Sequence, residues 1–347
     1  MSGRERGDRK SSALMRIITV CRRVQRDRGT ITAKKRTSCG ECELLRWQQG
    51  VMRRLLIVGC VVLLGTITES AAPGRASEPT LITGGITTHI VERGETLTSL
   101  AADFGVDSAT IVFENHLLPG RALEPGSELL IDNRHIGPAT IASGEIIINV
   151  PQRMLFYRDG GRLLAYPIAV GRRTWQTPAG PFTVVRKEED PAWHVPASIR
   201  AESARKGRLL PLVVPPGPSN PLGRFWIGLS VAGIGVHGTP LPSSIYQTST
   251  HGCIRLQGDG IEDLFGRATV GTPGRIVYEP VLLAADGDEV YLEVHPDVYH
   301  RSPTGASQRA HELAKGLGLA DRINWTLAGS EIERRAGVAR RVSRAVE

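Results

Sequence analysis

The chain is short of cysteine, above all in the part that would fold. Of five cysteines, Cys21, Cys39, Cys42 and Cys60 lie within the first sixty residues, and only Cys253 lies beyond. A body with one cysteine forms no internal disulfide, which excludes a disulfide-stapled scaffold. The pair Cys39-Gly40-Glu41-Cys42 lacks the second pair that a four-ligand zinc site requires. Long apolar runs are also missing. Leu55 to Thr68 is the most apolar stretch, and it falls short of the ~20 residues of a membrane-spanning helix. With 39 Gly and 22 Pro in 347 residues, long helices are not expected to dominate. There is no internal repeat. The body lacks a charge surplus too. The net charge of +8 comes from residues 1–72, which hold 15 Lys+Arg against 6 Asp+Glu, while the remainder holds 28 against 29. The body therefore offers no basic footprint for nucleic acid.

The basic N-terminus has the layout of a targeting segment. Arg53-Arg54 precede the apolar run, and Ser70, Ala71 and Ala72 follow it, so residues 52–72 read as a secretory signal. Two alternatives stay open. An uncleaved anchor is one, because Pro73 makes cleavage after Ala72 awkward; lipidation at Ile57-Val58-Gly59-Cys60 is the other. Met52 directly precedes the signal, so residues 1–51 read as a basic leader that a start at Met52 would omit. The expected location is the periplasm or cell envelope, with membrane contact only through this segment. A solitary exported thiol is a liability unless it reacts. A buried structural cysteine is the ordinary alternative.

Residues 73–87 are small and polar and suit a linker. Residues 88–132 read as strand, helix, helix, strand. Thr96 caps a helix with apolar positions Leu97, Leu100, Ala101 and Phe104, and Gly105 stops it. Ser108 caps a second helix ending near Asn115, and Leu129-Leu130-Ile131 forms the closing strand. From 143 to 280, short apolar runs alternate with Gly and Pro, with a hairpin turn at Asp159-Gly160-Gly161, so a mostly-β sandwich or barrel is expected. One helix is expected over Asp259 to Phe265, capped by Asp259. Residues 281–300 read as an appended strand or hairpin around Val290 to Val294. Residues 301–347, with Arg309, Arg322, Arg334, Arg335, Arg340 and Arg341, read as a basic, solvated helical tail. Contact with anionic wall polymer or a membrane surface is the alternative for that tail.

The chemistry concentrates between Gly233 and Leu256. A thiol with an ordinary pKa near 8.5 is mostly protonated at neutral pH. An imidazole beside it takes the proton and gives a thiolate–imidazolium pair. His237 is the candidate base and Cys253 the candidate nucleophile, with backbone amides near Gly252 and Cys253 as candidate oxyanion donors. A zinc site from His237, His251 and Cys253 stays open, but no carboxylate or second cysteine lies nearby. Ser243, Ser244 and Ser249 sit in no Gly-x-Ser-x-Gly elbow. No cofactor and no metal are expected.

Two resemblances sharpen this reading. Val91, Gly94-Glu95-Thr96-Leu97, Leu100-Ala101, Phe104-Gly105-Val106, Asn115, Leu123, Pro125-Gly126 and Leu129-Leu130-Ile131 resemble a LysM domain, which implies binding to glycan strands containing N-acetylglucosamine. His237-Gly238-Thr239 followed by Thr250-His251-Gly252-Cys253-Ile254-Arg255 is similar to the catalytic motif of YkuD-type L,D-transpeptidases. Thr177-Pro178-Ala179-Gly180-Pro181-Phe182 and Asn220-Pro221-Leu222-Gly223 agree in order upstream. The resemblance implies Cys253 as nucleophile, His237 as proton acceptor and donor, and the Gly238 carbonyl as the group orienting the imidazole. Thr250, His251, Gly252 and Arg255 are implied as supporting or substrate-contacting residues. The implied reaction is acyl transfer on peptidoglycan stem peptides. The acceptor amine lies either on another stem or on an outer-membrane lipoprotein, since the layout is similar to the lipoprotein-anchoring ErfK/YbiS branch. Hydrolysis at the same acyl-enzyme and a non-enzymatic LysM tether are the alternatives.

Overall fold

The structure is a computed structural model that describes residues 81–344. The expected leader, signal segment and Cys39–Cys42 pair, and most of the linker, lie outside the described residues. No helix among the described residues is long and apolar enough to cross a membrane.

The N-terminal unit is built from strand β1 (Ile86–Ile90), helices α1 (Leu97–Phe104) and α2 (Ser108–Glu114), and strand β2 (Glu128–Asp132). The two strands pair antiparallel with Thr88 opposite Leu130. Thr96 caps α1 reciprocally with Ser99: each side chain accepts from the other's backbone N–H, at 3.1 and 2.8 Å. Gly105 ends the helix in the left-handed conformation, at φ 68°. The second helix differs from expectation. Asp107 holds the capping position, and Ser108 instead donates to the Leu97 carbonyl. Asp107 does not cap through its side chain, because its carboxylate is taken by the Arg153 guanidinium at 2.7 and 2.9 Å.

The central unit is mostly β. Its strands are β3 (Ile146–Asn149), β4 (Met154–Asp159), β5 (Arg162–Pro167), β6 (Gly180–Glu189), β7 (Phe225–Leu229), β8 (Gly235–His237), β9 (Thr248–Thr250), β10 (Ile254–Arg255) and β11 (Pro273–Val277). Eight of them form one sheet in the order β10-β8-β7-β6-β11-β3-β4-β5. The sheet curls on itself: just past β5 at one edge, Ala169 bridges to Arg255 in β10 at the other. Closure of this kind removes free edges. It encloses an apolar core that includes Ile146, Ile148, Leu155, Ile227, Val236 and Ile254. Helix α3 (Ala197–Arg205) lies in the β6–β7 connection and buries none of its side chains. Helix α4 (Gly258–Arg267) follows the nucleophile loop, one residue earlier than expected. Gln257 holds its capping position, and Asp259 sits in the first turn, where its negative charge suits the helix dipole.

The C-terminal segment departs most from expectation. Strands β12 (Val281–Asp286) and β13 (Glu289–Val294) make a hairpin, and β14 (Arg340–Arg341) adds to it. Helices α5 (Ala306–Gly316) and α6 (Trp325–Arg334) pack on that hairpin around Leu283, Val290, Leu292, Ala314 and Ile323. The expected solvated tail is therefore a packed layer. Its small apolar residues are interleaved with arginines whose heads reach solvent or acids, which masks the apolar face in the sequence. Ala336 and Val338 go further and complete the core of the N-terminal unit. The Ala336 carbonyl accepts from Thr110 Oγ1 at 2.7 Å.

One buried polar knot ties the three units together. Glu293 Oε1 accepts from His135 Nδ1 at 2.8 Å, His295 Nε2 at 2.8 Å and Gln152 Nε2 at 3.0 Å, while Oε2 accepts from the Ile136 N–H. His135 Nε2 faces the Gly105 carbonyl at 2.9 Å. Burial alone would raise the Glu293 pKa, but the two histidines more than offset it and hold the carboxyl near 2.

Candidate active site

Strand pairing assembles the site. β10 runs parallel beside β8, which sets Val236 opposite Ile254 and His237 opposite Arg255. Two segments distant in sequence thus become neighbours, and Cys253 ends up just ahead of β10 in the same cavity as His237. The turn that delivers Cys253 needs glycine at 252, whose φ is +111° and where a Cβ would come within 3.1 Å of the Ile234 side chain. Thr250 braces the turn: its hydroxyl donates to the Cys253 carbonyl at 2.6 Å and accepts from the Gly252 N–H at 3.1 Å.

His237 is buried, and its Nδ1 contacts the Gly238 carbonyl at 2.6 Å. With that proton committed, Nε2 is left as the basic nitrogen. Burial, helped by the Arg255 charge, lowers its pKa to about 4, against a smaller opposing effect of the Gly238 and Leu222 carbonyls. Burial also raises the Cys253 thiol above its ordinary value, partly offset by the Gly235 backbone and the Arg255 charge. The thiol contacts the Gly233 carbonyl at 3.5 Å. Burial thus acts against both charges of the expected thiolate–imidazolium pair.

Two hollows flank the thiol. One, of about 480 Å³, is lined by His237, Arg172, Lys206, Arg208 and Arg255; the other, of about 980 Å³, by Trp175, Arg186, Glu188, Trp226 and Ile234. Cys253, His251, Trp193 and Ile199 border both. His251 does not reach the sulfur as a second base. Its Nε2 lies 3.0 Å from Arg172 Nη2 and 3.1 Å from Glu202 on α3, and its ring meets Trp175 edge-on. Burial lowers its pKa, reinforced by the two nearby arginines and opposed by Glu202. Arg255 has no carboxylate partner among the described residues, and its buried Nε has no acceptor. A guanidinium left in that state is costly unless a ligand supplies the missing anion.

The ligating atoms of His237, His251 and Cys253 do not converge on a common point. Among the described residues only His135, Glu293 and His295 bring theirs within 4.8 Å of one another. Those three are joined by the hydrogen bonds described above, which leave His295 Nδ1 buried without a partner among the described residues.

Several residues of the site carried no sequence signal. Glu202 gathers Arg172, Lys206 and His251, and hydrogen bonds from Lys206 and Arg172 bring its pKa down to about 2. Thr177 donates to the Gly252 carbonyl at 2.8 Å and accepts from the Gly171 N–H at 2.9 Å. The Tyr299 hydroxyl, from beyond the central unit, accepts from the Thr177 N–H at 3.1 Å and donates to the Gly171 carbonyl. Trp226 stacks on His237, with ring centroids 5.8 Å apart. Each of these acts through a fold contact rather than a motif. The Thr177-Pro178 segment is the one place where a sequence signal existed.

Comparison with known proteins identifies the family. The L,D-transpeptidase catalytic domain of the YkuD family matches residues 143–277, and the LysM domain matches residues 89–132. The chain is similar to the probable L,D-transpeptidase ErfK/SrfK of Escherichia coli, with 32% identity over 261 residues, covering 71% of this chain and 82% of that protein. It is similar to the probable L,D-transpeptidase YbiS of Escherichia coli at 35% identity, covering 49% and 56%. The solved catalytic domain of an E. faecium L,D-transpeptidase aligns at 23% identity with a TM-score of 0.30, covering 40% of this chain and all of that one. Shared identity across most of a curated relative, together with the matched catalytic domain, shows that this chain is an enzyme of the YkuD-type L,D-transpeptidase family with a LysM domain ahead of its catalytic domain.

Proposed function

We propose that the enzyme transfers acyl groups between peptidoglycan stem peptides through Cys253. The supporting observation is one cavity that holds the Cys253 thiol, the buried His237 and the Arg255 guanidinium, which has no carboxylate partner among the described residues. Stem peptides end in carboxylates, and Arg255 lacks one. As Cys253 Sγ bonds to the carbonyl carbon of the third stem residue, usually diaminopimelate, His237 Nε2 accepts the thiol proton. The same proton then passes to the amine of the departing D-Ala as the C–N bond breaks, leaving a thioester. An acceptor amine attacks the thioester and gives a proton to His237. The new amide forms as the C–S bond breaks, and the sulfur recovers the proton. Backbone N–H groups around Gly252 and Cys253 are the candidate oxyanion donors, and the Gly235 backbone, which lies against the thiol, adds a third. Thr250 and Gly252 shape the nucleophile turn, and His251 acts through Arg172 and Glu202 in positioning the wall of the cavity. The LysM domain holds the enzyme on glycan strands, which sets the place of action at the cell envelope. The acceptor is a second stem, giving a 3→3 crosslink, or the terminal lysine of an outer-membrane lipoprotein.

The test is incubation with a disaccharide-tetrapeptide followed by mass spectrometry. An acyl adduct that disappears in Cys253→Ala is expected. An adduct that persists in Cys253→Ala, or none on the wild type, would overturn the assignment. Crosslinked dimer with released D-Ala marks transfer, and tripeptide alone marks hydrolysis. Deleting residues 88–132 is expected to weaken retention on insoluble peptidoglycan.

A further inference from the structure

The sheet beside His237 is shaped to hold an indole. Trp226 on β7 is directly paired with His237 on β8, so both side chains leave the same face of the sheet. Two residues along, Gly228 pairs with Gly235, which leaves that face bare. The Trp226 ring fills the space. A Cβ at Gly235 would lie 2.3 Å from ring atom Cζ2, and one at Gly228 would lie 3.1 Å from Nε1. A side chain at Gly235 would have to displace the ring, and one at Gly228 would crowd it. The indole stacks against the imidazole at 5.8 Å and 23°. Its Nε1 is buried without a hydrogen-bond partner among the described residues, so the ring is held at that position despite an unsatisfied donor, which costs free energy.

We infer that Trp226 is a positioning residue for the transfer reaction, acting through the π face it presents to His237. This rests on His237 being the base that takes the Cys253 proton. In the resting site the imidazole is neutral and gains little from an aromatic neighbour. When the thiol proton arrives, the ring becomes a cation within ~6 Å of an indole centroid, the range over which a cation and an aromatic face attract. The attraction therefore develops along the acylation step and is absent from the ground state. An interaction of that kind raises kcat and leaves KM alone. The same stack helps to fix the plane of the ring, together with the Gly238 and Leu222 carbonyls.

The experiment follows D-Ala release from a disaccharide-tetrapeptide across pH for the full chain and its Trp226→Phe and Trp226→Leu variants. Trp226→Leu is expected to lower kcat about 2- to 30-fold with KM little changed. Trp226→Phe, which keeps an aromatic face, is expected to recover most of the loss. The acid limb of the profile is expected not to rise. If Trp226 merely excluded water, its loss would hydrate His237 and move that limb up toward an ordinary histidine, and this result would overturn the inference. An unchanged kcat in Trp226→Leu would do the same. Site-specific fluorination of the Trp226 indole covers the case in which Leu does not fold, because it drains π density at nearly constant shape. A stepwise fall in kcat is expected, and a flat series would refute the role. A flat series beside an inactive Cys253→Ala sinks only the part assigned to Trp226. An active Cys253→Ala sinks the underlying mechanism.

Discussion

At the residue scale, burial sets the chemistry of His237. With its pKa near 4, the imidazole is ready to accept a proton across the neutral range. The rate of acyl-enzyme formation is expected to fall on the acid side only as pH approaches about 4, which a pH–rate profile checks. Stability carries the opposite consequence of the same shift. In the unfolded chain His237 titrates near 6.5, so between 6.5 and 4 the unfolded state binds the extra proton. His237 therefore lowers stability progressively as pH falls through that window, and His237→Gln is expected to flatten this part of a Tm-versus-pH curve. Arg255 gives a second prediction. Because its guanidinium has no carboxylate partner among the described residues, Arg255→Gln is expected to keep or raise Tm. It is also expected to raise KM for a stem peptide about tenfold to a hundredfold, the worth of a charged hydrogen bond. Cys253 and His237 were legible because the sequence keeps the nucleophile, its preceding glycine and its base in one short motif. Arg172, Glu202 and Trp226 were not, because they reach the site from a loop, a helix and a strand outside that motif.

At the element scale, α3 and α1 contrast. The first helix of the LysM domain was legible from apolar spacing and its capping residues. Thr96→Ala is expected to cost about 1 kcal/mol, measurable by denaturant titration. Helix α3 has no apolar stripe and buries nothing, so periodicity had no purchase on it. Glu202 joins it to Arg172 and His251 beside the thiol. Glu202→Gln is expected to speed amide exchange in residues 197–205 and alkylation of Cys253 by iodoacetamide. Unchanged exchange would show that α3 is held by other contacts. The second LysM helix shows a different limit. Asp107 and Ser108 both suit a cap, and only the reach of Arg153 from another unit decides how Asp107 is used.

At the scale of the whole molecule, the C-terminal layer holds the LysM and catalytic domains in one structure. Glu293 contacts residues from the LysM edge, the central sheet and its own hairpin. Removing it would strand His135 and His295 in the interior. Glu293→Ala is expected to destabilise by about 3–5 kcal/mol, the usual penalty for breaking a buried charged pair, read from the shift of a denaturant midpoint. Its carboxyl is held near 2 against an ordinary 4.5. Its contribution is therefore present above about pH 4.5 and lost as pH falls through about 2. Truncation before residue 301 is expected to expose the LysM core that Ala336 and Val338 cover, seen as loss of a single cooperative transition.

Local pattern was enough to establish the two domain types and the turn glycines and to single out Cys253 and His237 as candidates, because those signals lie in short runs of the sequence. Tertiary structure alone decided the desolvation of His237 and Cys253, the lack of an acid beside Arg255 among the described residues, the seat of Trp226 between two glycines and the packing of the C-terminal arginine-rich segment. Each of these depends on which surfaces are withdrawn from water, and desolvation is a property of the assembled fold.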